Sequence, residues 1–185
     1  MSLQQVTAGE RLHIGFFGMR NAGKSSLVNA VTGQNLSVVS DTKGTTTDPV
    51  KKTMELLPLG PVVIIDTPGL DDEGDLGALR IQKTKEMLHM TDIAVLVVDA
   101  AVGMSAKDNA LKSELQKRNI PFVVVFNKAD TIEEKNADAL YVSAQTGEGI
   151  ETLKEKLGAF AREMQKTKVP VSDMLQKGDS VILHF

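Results

Sequence analysis

The chain has 185 residues, 42% of them hydrophobic, which is enough for one well-buried domain and too little for two ample ones. Its formal net charge of −3 argues against a basic surface for nucleic acid or an anionic membrane. The absence of cysteine excludes a disulfide, thiolate catalysis and a cysteine-ligated cluster or zinc site. No apolar run approaches the roughly 20 residues of a membrane span and no signal peptide is visible, so we expect a cytoplasmic protein.

Composition divides the chain into three segments. Residues 1–11 are polar and are predicted to form a short N-terminal arm, whereas residues 12–165 carry the strand and helix patterns of one domain. Residues 166–185 contain a linker-like segment, Val169-Pro170-Val171, and a final apolar run, Ser180–Phe185. We expect this run to be the first strand of a further domain. The alternative is a strand that pairs back onto the same domain.

Continuous apolar runs predict four buried strands. They are Ile14–Phe17, Val62–Ile65, Ile93–Val98 and Phe122–Phe126, with weaker strands at residues 51–57 and 139–142. Helices are predicted between Lys24 and Gly33, around Ile81–Leu88, behind a capping box of Ser105 and Asp108, and at residues 150–164. Strands that alternate with helices predict an α/β fold, with a mainly parallel sheet covered on both faces.

The stretch Gly18–Ser26, GMRNAGKSS, fits the pattern GxxxxGK(S/T) between the first strand and a helix. The backbone N–H groups of such a loop and the N-terminus of the following helix form a cradle for phosphate. Lys24 is predicted to reach the β- and γ-phosphates of a nucleotide, and the Ser25 hydroxyl is predicted to bind Mg²⁺. The alternative is a helix that merely begins after a glycine turn. The remaining predicted contacts of this loop are Gly18, Arg20, Asn21, Ala22, Gly23 and Ser26.

A second motif, DTPG, follows the buried strand Val62–Ile65. Asp66 is predicted to hold Mg²⁺, commonly through a water, and the Gly69 N–H is predicted to bond the γ-phosphate. DxxG alone is frequent and is usually a simple turn. Its place after a buried strand favours a site, because the carboxyl ends of parallel strands form one ligand-binding edge.

The motif NKAD follows the strand Phe122–Phe126 and predicts which base is bound. The Asp130 carboxylate can accept hydrogen bonds from N1–H and the exocyclic amine of guanine, whereas adenine offers neither donor there. Lys128 can lie over the base plane, and Asn127 can tie this loop to the Gly18–Ser26 loop. Ser143-Ala144 is predicted to supply a backbone N–H near guanine O6. A helix-capping turn is the structural alternative for NKAD.

These motifs, in this order and over residues 12–165, resemble the Ras-like P-loop GTPases. The resemblance implies a six-stranded sheet with one antiparallel edge strand, and hydrolysis of GTP to GDP with Mg²⁺ bound. It also implies switch loops at Gln34–Asp48 and Asp66–Arg80 that the γ-phosphate orders. Thr46 of GTTTD holds the place of the switch threonine that closes on Mg²⁺, and Thr45 is the neighbouring alternative.

Two departures from the family pattern predict slow intrinsic hydrolysis. Leu70 replaces the usual glutamine after DxxG, so no side-chain amide orients the attacking water. The first switch also contains no arginine. Lys43 and Arg80 are candidate cations, although solvated surface charge is the simpler interpretation of each.

Asn21 offers another source of positive charge. The sequence RNAGKS is similar to that of bacterial GTPases that modify tRNA or assemble ribosomes, some of which are activated by K⁺. In those proteins an asparagine at this position binds K⁺, which implies that K⁺ here performs the electrostatic role of an arginine finger. The alternative is that Asn21 stabilises the loop by bonding its own backbone. Together with Lys24, Thr46 and Gly69, Asn21 completes the set of residues predicted to act in hydrolysis.

Longer blocks, including HIGFFGMRNAGKSSLVNAVTGQ and KGDSVILHF, resemble the GTPase domain of the maturation proteins of iron-only hydrogenases. That resemblance implies further cluster-binding and dimerisation domains, hydrogenase-maturation proteins as partners, and neither a nucleic-acid nor a membrane partner. No cluster is assigned to this chain, because it lacks cysteine and its histidines, His13, His89 and His184, lack ligand spacing. The alternatives are a tRNA-modification or ribosome-assembly GTPase and a non-catalytic switch that governs docking of a partner.

Overall fold

A computed structural model describes residues 11–33, 50–66 and 77–167 of the chain. Its strands are β1 (Leu12–Gly18), β2 (Val50–Leu56), β3 (Gly60–Asp66), β4 (Ile93–Asp99), β5 (Phe122–Asn127) and β6 (Leu140–Tyr141). Its helices are α1 (Lys24–Thr32), α2 (Gly77–His89), α3 (Ala106–Lys117), α4 (Ile150–Thr167) and a 3-10 turn at Ala129–Thr131.

The strands form one six-stranded sheet in the order β2-β3-β1-β4-β5-β6. The edge strand β2 pairs antiparallel with β3, and all other neighbours are parallel. This arrangement confirms the predicted α/β sheet with one antiparallel edge strand. Because β1 lies in the middle of the sheet between β3 and β4, the loop that follows it has strand ends on both sides.

The helices cover both faces of the sheet and create two cores. One core lies between the sheet and helices α1 and α4, and the other lies between the sheet and helices α2 and α3. Along β4, Val95 and Val97 face the first core and Leu96 and Val98 face the second. A strand buried on both faces has no solvent side, which explains its continuous apolar sequence.

The ends of two helices follow from local chemistry that the sequence predicted. Helix α1 ends at Gly33, whose φ of 65° is left-handed. Helix α3 begins with a reciprocal capping box, in which the Asp108 N–H donates to Ser105 Oγ (3.1 Å) and the Ser105 N–H donates to Asp108 Oδ2 (2.9 Å). Within the described parts of the chain, no helix has both the length and the apolar composition needed to cross a bilayer.

The sixth strand is shorter than predicted. A strand was expected over residues 139–142, but β6 contains only Leu140 and Tyr141. The Ala139 N–H bonds the Asn136 carbonyl (3.1 Å), and the Val142 carbonyl accepts from the Ala129 N–H (3.0 Å). The Val142 N–H still donates to the Phe126 carbonyl of β5 (2.9 Å), so the ladder ends there while the Val142 carbonyl turns to the base loop.

Several predictions concern residues outside the described ranges. They include the N-terminal arm up to residue 10, the whole first switch loop, residues 67–76 of the second, Thr46, Gly69 and the tail from residue 168 onward. The last helix continues to Thr167.

Candidate nucleotide-binding site

The predicted site residues follow strands that end beside one another. Asp99 at the end of β4 is in register with Asn127 at the end of β5, and Gly18 at the end of β1 is in register with Val97. Asp66, at the end of β3, is in register with Phe16 of β1. The four strands thus deliver their last residues to one edge of the sheet, where ligands of parallel sheets bind.

The loop after β1 has a backbone that only glycine can supply at two positions. At Gly18, with φ of 144°, an added Cβ would lie 2.1 Å from the Val97 carbonyl oxygen. At Gly23, with φ of 84°, it would lie 2.4 Å from Asn127 Nδ2. These approaches explain the glycines of the pattern: the first allows β1 to pack against β4, and the second allows the loop to reach the end of β5.

Lys24 is the buried cation of this loop, with only 7% of its surface exposed. Its Nζ donates to the carbonyls of Gly18 (2.9 Å) and Met19 (2.8 Å), which hold the ammonium group within the loop. Lys24 also opens helix α1, whose first N–H groups carry partial positive charge. The loop therefore combines a fixed cation with a helix N-terminus, the chemistry that suits a polyphosphate.

Asn127 joins the two loops that the sequence assigns to phosphate and base. Its side chain is buried, and Nδ2 donates to the carbonyl of Ala22 (2.9 Å) and, more weakly, to that of Gly23 (3.4 Å). Its Oδ1 accepts the Ala144 N–H at 3.2 Å. The structure thus contains the predicted link between the two loops, and the same side chain also bonds to the loop after β6. The Ala144 N–H is already engaged by Asn127, so it can serve guanine O6 only as a shared donor.

The Asp130 carboxylate is oriented by Ser143, a contact that the sequence analysis missed. Ser143 Oγ donates to Asp130 Oδ1 at 2.5 Å and accepts the Thr146 N–H at 3.1 Å. Ser143 is fully buried, whereas Asp130 is exposed at the rim. The sequence predicted only a backbone role for Ser143-Ala144; a hydroxyl directly after the last strand was the available signal for a side-chain role.

Asp99 is a further residue at this edge to which the sequence analysis gave no role. Its Oδ2 accepts a hydrogen bond from Lys128 Nζ at 2.5 Å, and its Oδ1 accepts the Ala101 N–H at 2.9 Å. Burial alone would raise the pKa of Asp99, but the Lys128 hydrogen bond, the Ala101 N–H and the Lys128 charge hold this pKa below its ordinary value. An ionised aspartate thus borders the predicted base loop.

The oxygen donors near the P-loop fit a hard divalent cation. Ser25 lies in the first turn of α1, and Asp66 ends the strand next to β1. Hydroxyl and carboxylate oxygens are the ligands that Mg²⁺ prefers, usually together with substrate phosphates. Among residues 11–33, 50–66 and 77–167, no group of three or more His, Asp or Glu side chains could hold a metal by itself. A serine hydroxyl and an aspartate carboxylate suit a Mg²⁺ ion that nucleotide phosphates also hold.

A family model described as "50S ribosome-binding GTPase" matches residues 13–128 of the chain. The chain belongs to this GTPase family. The match runs from β1 through the P-loop to Lys128, so it includes Asp99 and Asn127 and ends before Asp130 and the loop after β6. Family membership makes the chain a GTP-binding domain, with hydrolysis of GTP as the family's reaction.

Curated relatives of this GTPase domain are longer proteins. GTPase Der from Kosmotoga olearia is 31% identical over an alignment of 177 positions that covers 84% of this chain and 40% of Der. The tRNA modification GTPase MnmE from Dichelobacter nodosus is 35% identical over an alignment of 175 positions that covers 89% of this chain and 38% of MnmE. The chain thus spans about two fifths of the length of these relatives.

Solved structures share the fold of the GTPase domain. Era from Aquifex aeolicus, bound to GDP and AlF₄⁻, has a TM-score of 0.65 at 24% identity and covers 80% of this chain and 56% of its own. The G domain of the FeoB iron transporter of T. maritima has a TM-score of 0.63 at 23% identity and covers 82% of this chain and 99% of its own. Another Era structure contains MgGDPNP and a segment of 16S ribosomal RNA. For this chain, the expected lack of a nucleic-acid partner stays a prediction.

Proposed function

We propose that this GTPase domain is a Mg²⁺-dependent switch that holds GTP between the Gly18–Ser26 loop and Asp130. The observation that carries the proposal is the position of Asn127, which bonds Ala22 in the phosphate loop and the Ala144 N–H behind the base loop. Because one buried side chain joins both loops, a nucleotide that bridges them meets a preorganised site. A ligand that lacks either the phosphates or the base would therefore bind less tightly, because it contacts only one of the two joined loops.

Asp130 selects guanine in this proposal. A carboxylate accepts hydrogen bonds from N1–H and the exocyclic amine of guanine, while adenine would leave that carboxylate unpaired. The hydrogen bond from Ser143 supports this role, because it fixes one carboxylate oxygen and limits the rotation of the other. Lys128, directly before the Ala129–Thr131 turn, lies over the base plane.

The phosphate end of the site is assigned to residues of the P-loop and the switches. Lys24 binds the β- and γ-phosphates, a role supported by its burial within the loop. Ser25, Thr46 and Asp66 hold Mg²⁺, which neutralises charge on the phosphate oxygens when it is bound. The Gly69 N–H bonds the γ-phosphate, so switch closure depends on GTP rather than GDP.

Asn21 is proposed to bind K⁺ beside the phosphates. Its backbone is left-handed, with φ of 64°, and it is exposed at the outer turn of the P-loop. Asparagine tolerates this conformation better than most residues, so the loop can present an amide oxygen here at small cost. With Leu70 in place of glutamine and no arginine in the first switch, hydrolysis is slow unless this cation supplies positive charge.

The larger protein is proposed to be HydF, the scaffold that matures iron-only hydrogenases. The proposal rests on the long sequence blocks around the P-loop and at residues 177–185, which are more specific than the GTPase motifs. GTP binding and hydrolysis would then govern docking or release within the maturation machinery. Cluster chemistry is assigned to other domains, because this chain contains no cysteine.

The second candidate is a tRNA-modification or ribosome-assembly GTPase. It is favoured by the 35% identity to MnmE over 89% of this chain. The net charge of −3 argues against RNA contacts by this domain, since RNA-binding modules are usually basic.

A docking switch without turnover is a third candidate, favoured by Leu70; measurable hydrolysis in KCl would contradict it.

A domain exchange distinguishes the first two candidates. This chain would replace the GTPase domain of HydF in one strain and that of MnmE in another, and hydrogenase activity and tRNA modification would be measured. Matched chimeras with Lys24→Ala control for an inactive site. We expect hydrogenase activity to be restored by the active HydF chimera alone. Restoration of tRNA modification instead would replace the HydF proposal with the second candidate.

A further inference from the structure

The end of β4 and the base loop after β5 are joined by main-chain and side-chain bonds. Asp99 and Asn127 are register partners, and the Ala100 N–H donates to the Asn127 carbonyl at 2.8 Å. The Asp99 carbonyl then accepts the N–H groups of Val102 (3.1 Å) and Gly103 (2.9 Å). The chain therefore turns tightly at Asp99, and this turn lies directly beside the loop that contains Lys128.

The Asp99 carboxylate is held by its own turn, independently of the contact with Lys128. The Ala101 N–H donates to Oδ1, which leaves Oδ2 to accept Lys128 Nζ at 2.5 Å. The Asp99 side chain is 19% exposed and that of Lys128 is 38% exposed. An ion pair with one partner fixed and partly desolvated restrains the other partner more than a pair between two mobile surface chains.

Lys128 needs such a restraint, because its backbone is left-handed with φ of 63°. Residues with long side chains adopt this conformation only where the surroundings impose it. The Lys128 carbonyl accepts the Thr131 N–H (2.9 Å) and Thr131 Oγ1 (2.7 Å), which closes the turn that carries Asp130. Lys128 Cε lies 4.0 Å from the position that a Cβ on Gly23 would take. The aliphatic stem of Lys128 thus runs from the base loop past the end of the P-loop toward β4.

We propose that Asp99 is a positioning residue for the purine base: it holds the Lys128 ammonium at the end of β4, so that the lysine stem forms one wall of the base pocket. This inference rests on the proposed function, in which the rim holds guanine. A wall contacts the face of the base, whereas Asp130 contacts its edge. Hypoxanthine lacks the exocyclic amine of guanine but presents the same kind of face, so the two aspartates have separable effects.

The test measures dissociation constants for GDP and IDP with the whole chain, by displacement of a fluorescent GDP analogue. Asp99→Asn, which keeps the shape of the side chain and removes its charge, is expected to weaken GDP and IDP by the same factor, roughly three- to tenfold. Asp130→Asn is expected to lose the preference for GDP over IDP. Glu114→Gln is the matched control, since the Glu114–Arg118 ion pair has side-chain exposures of 34% and 22% and lies at the other end of α3. It should leave both constants unchanged.

A double-mutant cycle with Lys128→Met decides whether Asp99 acts through Lys128. Methionine keeps an unbranched stem without the ammonium group, so Asp99→Asn should have no further effect in that background. Independent, multiplying effects of the two substitutions would overturn the proposal, as would unchanged GDP and IDP affinities in Asp99→Asn. If Asp130→Asn also retained the full preference for GDP, the guanine site itself would be wrong and the proposed function would fail with it. Thermal unfolding of each variant shows that the fold is retained.

Discussion

Ser143 Oγ donates a hydrogen bond to Asp130 Oδ1 over 2.5 Å, from a fully buried position to an exposed one. The same hydroxyl oxygen accepts the Thr146 N–H, so the loop after β6 holds the serine in place. Gly149, at the far end of this loop, has φ of 71°, and a Cβ there would lie 2.2 Å from the Tyr141 carbonyl oxygen. The orientation of the Asp130 carboxylate, the proposed base selector, therefore depends on the loop after β6 as well as on its own turn.

Removal of this hydroxyl should weaken guanine binding without unfolding the domain. We expect Ser143→Ala to lower GDP affinity roughly 10- to 100-fold, because a hydrogen bond to a charged group contributes about 1.5–3 kcal/mol. Titration with a fluorescent GDP analogue measures the change. Ser113→Ala is the control, since Ser113 Oγ bonds the Asn109 carbonyl on the exposed side of α3. Equal GDP affinity in Ser143→Ala and the wild type would show that Asp130 needs no help from Ser143.

Substitution of the selecting carboxylate should change which base is bound. Asp130→Asn is expected to weaken GTP by at least about 100-fold and to admit xanthosine triphosphate, whose O2 accepts a hydrogen bond where guanine has an amine. Competition between GTP, XTP and ATP for the fluorescent nucleotide measures the preference. A variant that still prefers GTP over XTP to the wild-type degree would contradict the assignment of Asp130.

Loss of the P-loop lysine should affect phosphates and spare the base. Lys24→Ala is expected to reduce GTP turnover roughly 100-fold and to weaken GTP far more than GMP, because GMP has no β- or γ-phosphate. Single-turnover hydrolysis and binding of the two nucleotides provide the comparison. Lys117→Ala, at the exposed end of α3, controls for loss of a positive charge. Equal weakening of GTP and GMP would indicate a damaged loop rather than a lost phosphate contact.

Potassium should accelerate hydrolysis through Asn21. In single-turnover experiments at matched ionic strength, we expect KCl to exceed NaCl by at least about tenfold for the wild type and the two salts to be equal for Asn21→Ala. Asn119→Ala is a matched control, because Asn119 also has a left-handed backbone, with φ of 54°, and it follows the C-terminal end of α3 in the chain, outside the P-loop. Equal slow rates in both salts for the wild type would refute the K⁺ role and shift the interpretation to a switch that waits for a partner.

The charge of Asp99 should make part of the domain's stability dependent on pH. Its pKa is lower in the folded protein than the ordinary value of 3.8, so the folded state releases the proton more readily. The resulting stabilisation is present above that ordinary value and is lost as the pH falls through the folded pKa. We expect Asp99→Asn to lower the free energy of unfolding by about 0.2–1 kcal/mol near neutral pH, the range of partly exposed pairs. Urea denaturation should show this difference shrinking in acid; a constant difference would point to packing instead of charge.

Local sequence determined most of the fold of this domain. The continuous apolar runs predicted β1, β3, β4 and β5, because a strand covered on both faces must be apolar at every position. The capping box predicted the start of α3, and the glycine pattern predicted the P-loop, because both depend on groups within a few residues of each other. The tie between Asn127 and the P-loop was also predictable, since both elements end at the same edge of a parallel sheet.

Tertiary structure decided the contacts that depend on register between distant strands. Asp99 meets Lys128 because β4 and β5 are neighbours and end at the same level, and Ser143 meets Asp130 because the loop after β6 folds back over the base loop. These partners are 29 and 13 residues apart, and no local pattern specifies either pair. The shortened β6 has the same origin, since the Ala139 N–H bonds the Asn136 carbonyl in a turn and the Val142 carbonyl accepts from Ala129 in the base loop. The sequence by itself therefore determined which groups lie at the edge of the sheet where the parallel strands end. Packing decided which of these groups bond to one another.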